Sequence, residues 1–263
     1  MLLPLSLAAV VPVTAAAQIP VSGKQPAEPE TPRLVVLITV DQLLPAYFER
    51  FGAQFTGGLA RLQRNGAFFT RAYQDHAITE TAPGHASTLS GRFPRSTGIV
   101  ANDRGVQDDQ APLIGGGGAG ASPYRFRGSA LYDWMRNQNP DARALSVSRK
   151  DRGAILPMGR AGRDVYWYAS DGRMTTSVYY RDTLPDWVDR FNGRRIPQGT
   201  AGREWTLLLP ERAYPEPDSV VQESGGKDFL FPHRSPDDPA RAAAAFATRP
   251  WMDEMLLDFA LAG

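Results

Sequence analysis

The apolar positions of this chain fall into short runs that change period along its length. Leu34-Val35-Val36-Leu37-Ile38-Thr39-Val40 is nearly continuous and β-branched. That pattern predicts a strand buried on both faces of a parallel sheet. It stops at Asp41, and open α/β sheets gather functional side chains at the carboxyl ends of their strands. Residues 55–64 read as a helix closed by Asn65-Gly66, and residues 67–73 as a second strand. A short helix over 82–90 ends at Gly91, and one over 129–138 carries Leu131, Trp134 and Met135 at helical spacing. Residues 142–148 read as the next strand. From Asp164 to Tyr180 aromatic and polar residues alternate, predicting two strands about the turn Ser170-Asp171-Gly172. Residues 184–191 form a helix with Pro185 in its first turn. The stretch 192–239 is rich in Pro, Gly and Arg, and 251–262 is an amphipathic helix that runs to the end of the sequence. This order of elements predicts an α/β fold with a mainly parallel central sheet sandwiched by helices.

The first 17 residues are apolar and end in Ala15-Ala16-Ala17 before Gln18, the pattern of a cleaved export signal. Pro4 and Pro12 break the run, which is too short to span a membrane comfortably. Residues 18–33 are Pro-rich and polar, a flexible leader. A periplasmic or secreted protein is expected. The glycine-rich stretch 115–121 does not continue into the lysine and hydroxyl residue of a phosphate-binding loop, and reads as a surface loop.

Composition narrows the chemistry. Lys and Arg number 29 against 28 Asp and Glu, so no basic footprint points to nucleic acid. Cysteine is absent, which removes disulfides, zinc thiolates and cysteine nucleophiles together. Histidine occurs only at His76, His85 and His233.

The informative region is Asp75–Gly91. Thr81 precedes Ala82-Pro83-Gly84 and is expected at the N-cap of the short helix, facing its unsatisfied N–H groups. A threonine there serves either as a cap alone or as a nucleophile beside an anion site. Asn102 and Lys150-Asp151-Arg152 follow apolar segments, in loops that commonly carry phosphate-handling side chains. Lys150 and Arg152, two apart on an extended chain, would project to one side, offering a point charge and a bidentate fork. Taken singly, Lys150 and Arg152 read first as solvated surface charges.

LVVLITVDQL at Leu34–Leu43, TAPGHASTLSG at Thr81–Gly91, TGIVANDR at Thr97–Arg104 and SRKDRGAI at Ser148–Ile155 occur here in one order. With TSVYYRDTLPDWVDRFN at Thr176–Asn192 and MDEMLLDFAL near the end, they carry a resemblance over nearly all of the chain after the leader. The chain resembles the N-terminal half of the alkaline phosphatase superfamily. Within it, the likeness is to the threonine-nucleophile bacterial alkaline phosphatases of the type I phosphodiesterase/nucleotide pyrophosphatase group. The resemblance implies two Zn2+ ions per complete site, with Asp41 and Thr81 ligating one of them. It implies Thr81 as nucleophile, forming a phosphothreonine, and Asn102, Lys150 and Arg152 holding the phosphate oxygens. The Lys/Arg pair implies phosphomonoesters over phosphodiesters.

The family's remaining zinc ligands have no counterpart in the expected order. Asp75-His76 precedes the nucleophile, Asp228 and His233 are one residue too far apart, and His85 sits where packing is expected. Catalytic zinc takes three protein ligands, so the chain as it stands is expected to be an incomplete domain, inactive alone. The domain would run over 34–263, with 164–239 inserted as a cap. The function expected is that of an exported, zinc-dependent phosphomonoester hydrolase acting on a small-molecule substrate. A phosphodiesterase or nucleotide pyrophosphatase of the same superfamily, and a non-catalytic secreted phosphate-binding relative, are the alternatives. The oligomeric state is not encoded in any of these patterns.

Overall fold

The computed structural model describes residues 32–115 and 117–263. Residues 1–17, and the 18–33 leader except its last two residues, lie outside that range. Two compact units divide the chain, one ending at Gly52 and the other running from Ala53 to Gly263.

In the first unit, helix α1 spans Ala46–Phe51. The run Leu34–Val40 is not a strand, and Val35 and Ile38 are 60% and 66% exposed. A strand persists only where a neighbour takes its N–H and C=O groups, and none of the described residues pairs with this run. The expected strand over 67–73 in the second unit is also absent, with Phe69 and Tyr73 exposed.

Elsewhere in the second unit the expected helices and strands form, several of them shorter than expected and beside short elements the pattern does not predict. Helices α2 (Gly58–Asn65), α3 (Thr81–Ser90), α4 (Pro94–Thr97) and α5 (Leu131–Gln138) come first. Strand β1 (Leu145–Ser148) and helix α6 (Asp151–Ile155) follow, then β2 (Asp164–Tyr168), β3 (Met174–Thr175) and α7 (Asp186–Asn192). The chain closes with β4 (Glu204–Trp205), β5 (His233–Arg234), α8 (Pro239–Phe246) and α9 (Trp251–Ala262). The main sheet has the order β1-β2-β3, parallel between β1 and β2 and antiparallel between β2 and β3. β4 and β5 form a separate antiparallel pair.

The two-residue period of a strand divides the core. Val165 and Trp167 of β2 pack on one side with Ala82 and Ala86 of α3 and Ala154 and Ile155 of α6. Tyr166 and Tyr168 point the other way, into Val188 and Phe191 of α7, Phe246 of α8 and Phe259 of α9. β1 repeats the division. Leu145 and Val147 pack on the α9 side. Ser146 Oγ donates to the Ala154 carbonyl of α6 at 2.7 Å. Helices therefore cover both faces of the sheet. Residues 164–168, where the expected 164–239 segment starts, pack in this core, and burying large aromatic side chains such as Tyr166 and Tyr168 is strongly favourable. No helix among the described residues is long and apolar enough to cross a membrane.

Candidate active site

α3 begins at Thr81 itself, and the cap position falls on Glu80, which is extended at φ −81°, ψ 167°. Thr81 is therefore the first helical residue and not the cap. The capping hydrogen bond comes from a distant residue: Asn102 Oδ1 accepts from the Ala82 N–H at 2.9 Å. Thr81 Oγ1 is left to face a different partner. Small residues make the approach possible, since Ala82, Pro83 and Gly84 are all buried.

That partner is Lys150. β1 ends at Ser148, and Lys150 follows in the extended residue that precedes α6. Its Nζ donates to Thr81 Oγ1 at 3.1 Å, linking residues 69 positions apart. The lysine thus emerges at the carboxyl end of a strand, where α/β sheets place their ligand-handling groups. Arg152 lies within α6, so the extended geometry expected for Lys150 and Arg152 is replaced by a strand-to-helix turn. Its Nη1 donates to Asp151 Oδ1 at 3.2 Å, and its buried Nε has no hydrogen-bond partner among the described residues. The same Asp151 oxygen accepts the Arg152 N–H at 2.6 Å.

The structure therefore brings Thr81, Lys150 and, through Ala82, Asn102 together. His85 lies one turn along α3, its Nδ1 2.8 Å from the Thr81 carbonyl. A carbonyl only accepts, so Nδ1 carries the proton in that contact. Asp41 is exposed, in the turn after residue 40 of the first unit.

Zinc is what the resemblance implies for such a site. Among the described residues no group of three or more His, Asp or Glu side chains is placed to hold a metal ion. His76 Nε2 is 3.2 Å from Gln74 Oε1. His233 Nδ1 is 3.2 Å from Asp228 Oδ1, across from Arg249. The donor set described in this chain does not fit a zinc ion.

Sequence reasoning missed Glu80, Gln107 and Gly153. Glu80 Oε2 accepts the Asn102 N–H at 2.7 Å, and Gln107 Nε2 donates to the Asn102 carbonyl at 2.9 Å. Gly153 lets α6 lie against Ser148. The clearest signal in the sequence is the position of Glu80, immediately before the motif that opens at Thr81.

Residues 35–244 match the family described as type I phosphodiesterase / nucleotide pyrophosphatase. The chain belongs to that family. Among relatives within the wider likeness, alkaline phosphatase PhoV of Synechococcus elongatus is 31% identical over 251 residues, 88% of this chain and 46% of that protein. Alkaline phosphatase PhoK of a Sphingomonas species is 37% identical over 201 residues, 70% of this chain and 35% of that protein. A solved variant of alkaline phosphatase PafA, with one threonine, one asparagine, one lysine and one arginine replaced, superposes with a TM-score of 0.76 at 25% identity. That match covers 85% of this chain and 47% of the PafA chain, and it bears out the α/β class. This member of the type I phosphodiesterase / nucleotide pyrophosphatase family spans less than half the length of the relatives it matches.

Proposed function

We propose that this chain carries the nucleophile and phosphate-binding groups of an exported phosphomonoester hydrolase of the alkaline phosphatase type. The observation that carries this reading is Lys150 Nζ on Thr81 Oγ1 at 3.1 Å. An ammonium beside a hydroxyl at a helix start favours the alkoxide, and the same charge meets the oxygens of an incoming phosphoryl group. Thr81 Oγ1 attacks phosphorus in line with the ester oxygen. The bond from phosphorus to Oγ1 forms as the bond to the ester oxygen breaks, and the electron pair leaves with the alcohol, which takes a proton from water. The Thr81 proton passes to solvent. Water then attacks the phosphothreonine, releasing inorganic phosphate and restoring the hydroxyl. Lys150, Arg152 and the Asn102 amide stabilise the non-bridging oxygens. Phosphoryl transfer is accelerated chiefly by charge and donors held in place before the reaction begins.

The PafA variant supports the residue set. Its replaced threonine and asparagine are 21 positions apart, and its lysine and arginine two apart. Thr81 and Asn102, and Lys150 and Arg152, have the same intervals. Two cations suit a monoester, which carries one more negative charge than a diester. Lys150→Ala and Arg152→Ala should each lower kcat/KM for an aryl phosphate monoester by about 10²–10³, and by less for the matching diester. Equal losses on both substrates would favour a phosphodiesterase.

A further inference from the structure

Asn102 has four sets of hydrogen-bonding groups, and three are already engaged. Its backbone N–H donates to Glu80 Oε2 at 2.7 Å. Its carbonyl accepts from Gln107 Nε2 at 2.9 Å. Its side-chain Oδ1 accepts from the Ala82 N–H at 2.9 Å, at the start of the helix that carries Thr81. Only the Nδ2 amide group has no partner among the described residues. An asparagine side chain is chemically ambiguous, able to present either a donor or an acceptor by a half-turn. Here the helix N–H fixes that choice, because only Oδ1 can accept from it.

We infer that Glu80 and Gln107 are positioning residues, a clamp on the Asn102 backbone that holds its Oδ1 on the Ala82 N–H and so keeps Nδ2 as the donor toward a phosphate oxygen. The geometry follows from the chain. Glu80 is the residue immediately before Thr81, so its carboxylate ties the 102–104 turn to the entry of α3. Gln107 closes the other side of the turn, since its Oε1 accepts the Gly105 N–H at 3.2 Å while its Nε2 holds Asn102. The turn is thus held at both backbone groups of Asn102. A carboxylate at this helix start is also favoured by the helix dipole. Removing Glu80 frees the Asn102 backbone and loosens the Oδ1 contact with the Ala82 N–H, so the amide is held less firmly in direction while every phosphate-contacting side chain remains in the protein.

This inference rests on the reading of Asn102 as a phosphate contact, and the test separates the two. In the protein expressed from its own gene, kcat/KM for an aryl phosphate and the inhibition constant of inorganic phosphate are measured for wild type, Glu80→Ala, Glu80→Gln, Gln107→Ala, Asn102→Ala and the double variant Glu80→Ala/Asn102→Ala. Asn102→Ala should weaken phosphate inhibition roughly 10- to 100-fold, the range for one hydrogen bond to a charged group. Glu80→Ala and Gln107→Ala should each reproduce part of that loss. Glu80→Gln keeps an acceptor for the Asn102 N–H and should recover most of it. The double variant should be no worse than Asn102→Ala alone. If Asn102→Ala leaves phosphate inhibition unchanged, the phosphate-contact reading fails and the clamp falls with it. If Asn102→Ala has its effect but Glu80→Ala multiplies it, or Glu80→Gln is as impaired as Glu80→Ala, the clamp alone is overturned.

Discussion

Replacing Gly153 with alanine probes the close approach of α6 to the sheet that directs Lys150 toward Thr81. Gly153 is buried, and a Cβ at this position would lie 2.4 Å from Ser148 Oγ and 3.2 Å from Ser148 Cβ. Two effects oppose each other. Alanine is the better helix former by about 1 kcal/mol. Against that, Ser148 Oγ must leave its place and give up the Lys150 N–H it accepts at 3.2 Å. Such a bond contributes about 1 kcal/mol net. The remaining 3.2 Å contact with Ser148 Cβ overpacks a site with no slack, at about 1–3 kcal/mol. The sum favours destabilisation by about 1–3 kcal/mol. Urea unfolding of wild type, Gly153→Ala, Ser148→Ala and the double variant measures it. Ser148→Ala removes the overlapping oxygen, so the double variant should be more stable than the two single losses predict, by about 1 kcal/mol. A neutral or stabilising Gly153→Ala, with strictly additive behaviour in the double variant, would refute the close approach.

Two further outcomes are expected. Burial raises the proton affinity of the Tyr166 hydroxyl to about 12, with Arg181 acting in the opposite sense and Asp164 adding to it; burial also raises Tyr168 and Tyr180. Unfolded tyrosine ionises near pH 10, so the fold holds its full advantage below that value. Above it the unfolded chain loses protons the fold retains, and stability should fall as pH climbs from about 10 toward 12, by about 2–3 kcal/mol for Tyr166 alone. Urea midpoints that stay flat across that window would contradict the buried hydroxyl. Protein made with its leader in a secreting bacterium should begin at or near Gln18, outside the cytoplasm; N-terminal sequencing that finds an intact Met1 on exported material would count against export.

Local patterns revealed the elements whose partners lie within the described residues. The alternation at Asp164–Tyr168 produced a strand because β1 and β3 supply its ladder on both sides. The run Leu34–Val40 has an even stronger strand composition, yet composition cannot supply a neighbouring strand, and none of the described residues forms a ladder with it. Part of the site was similarly legible. Thr81 heads TAPGHASTLSG and Lys150 lies within SRKDRGAI, and the fold brings them to 3.1 Å across 69 residues. What the sequence could not show is which residue caps α3. A threonine before Ala-Pro-Gly looks like a cap, but Asn102 takes that role from another loop. Such exchanges depend on tertiary contacts, which no short spacing records. Glu80 escaped for the same reason, since it acts on the backbone of a residue 22 positions away, whereas Gln107 acts locally on the turn that carries Asn102.

The most direct test of Thr81 as nucleophile is to trap the covalent intermediate. The enzyme expressed from its own gene is mixed with an aryl phosphate, quenched in acid during turnover, digested, and the peptide containing residue 81 is analysed by mass spectrometry. A phosphoryl group should be found on Thr81 in the wild type and on the serine of Thr81→Ser. It should be absent in Thr81→Ala, whose kcat should fall by several orders of magnitude. Hydrolysis that persists in Thr81→Ala, or a phosphoryl group trapped on another residue, would contradict the central claim.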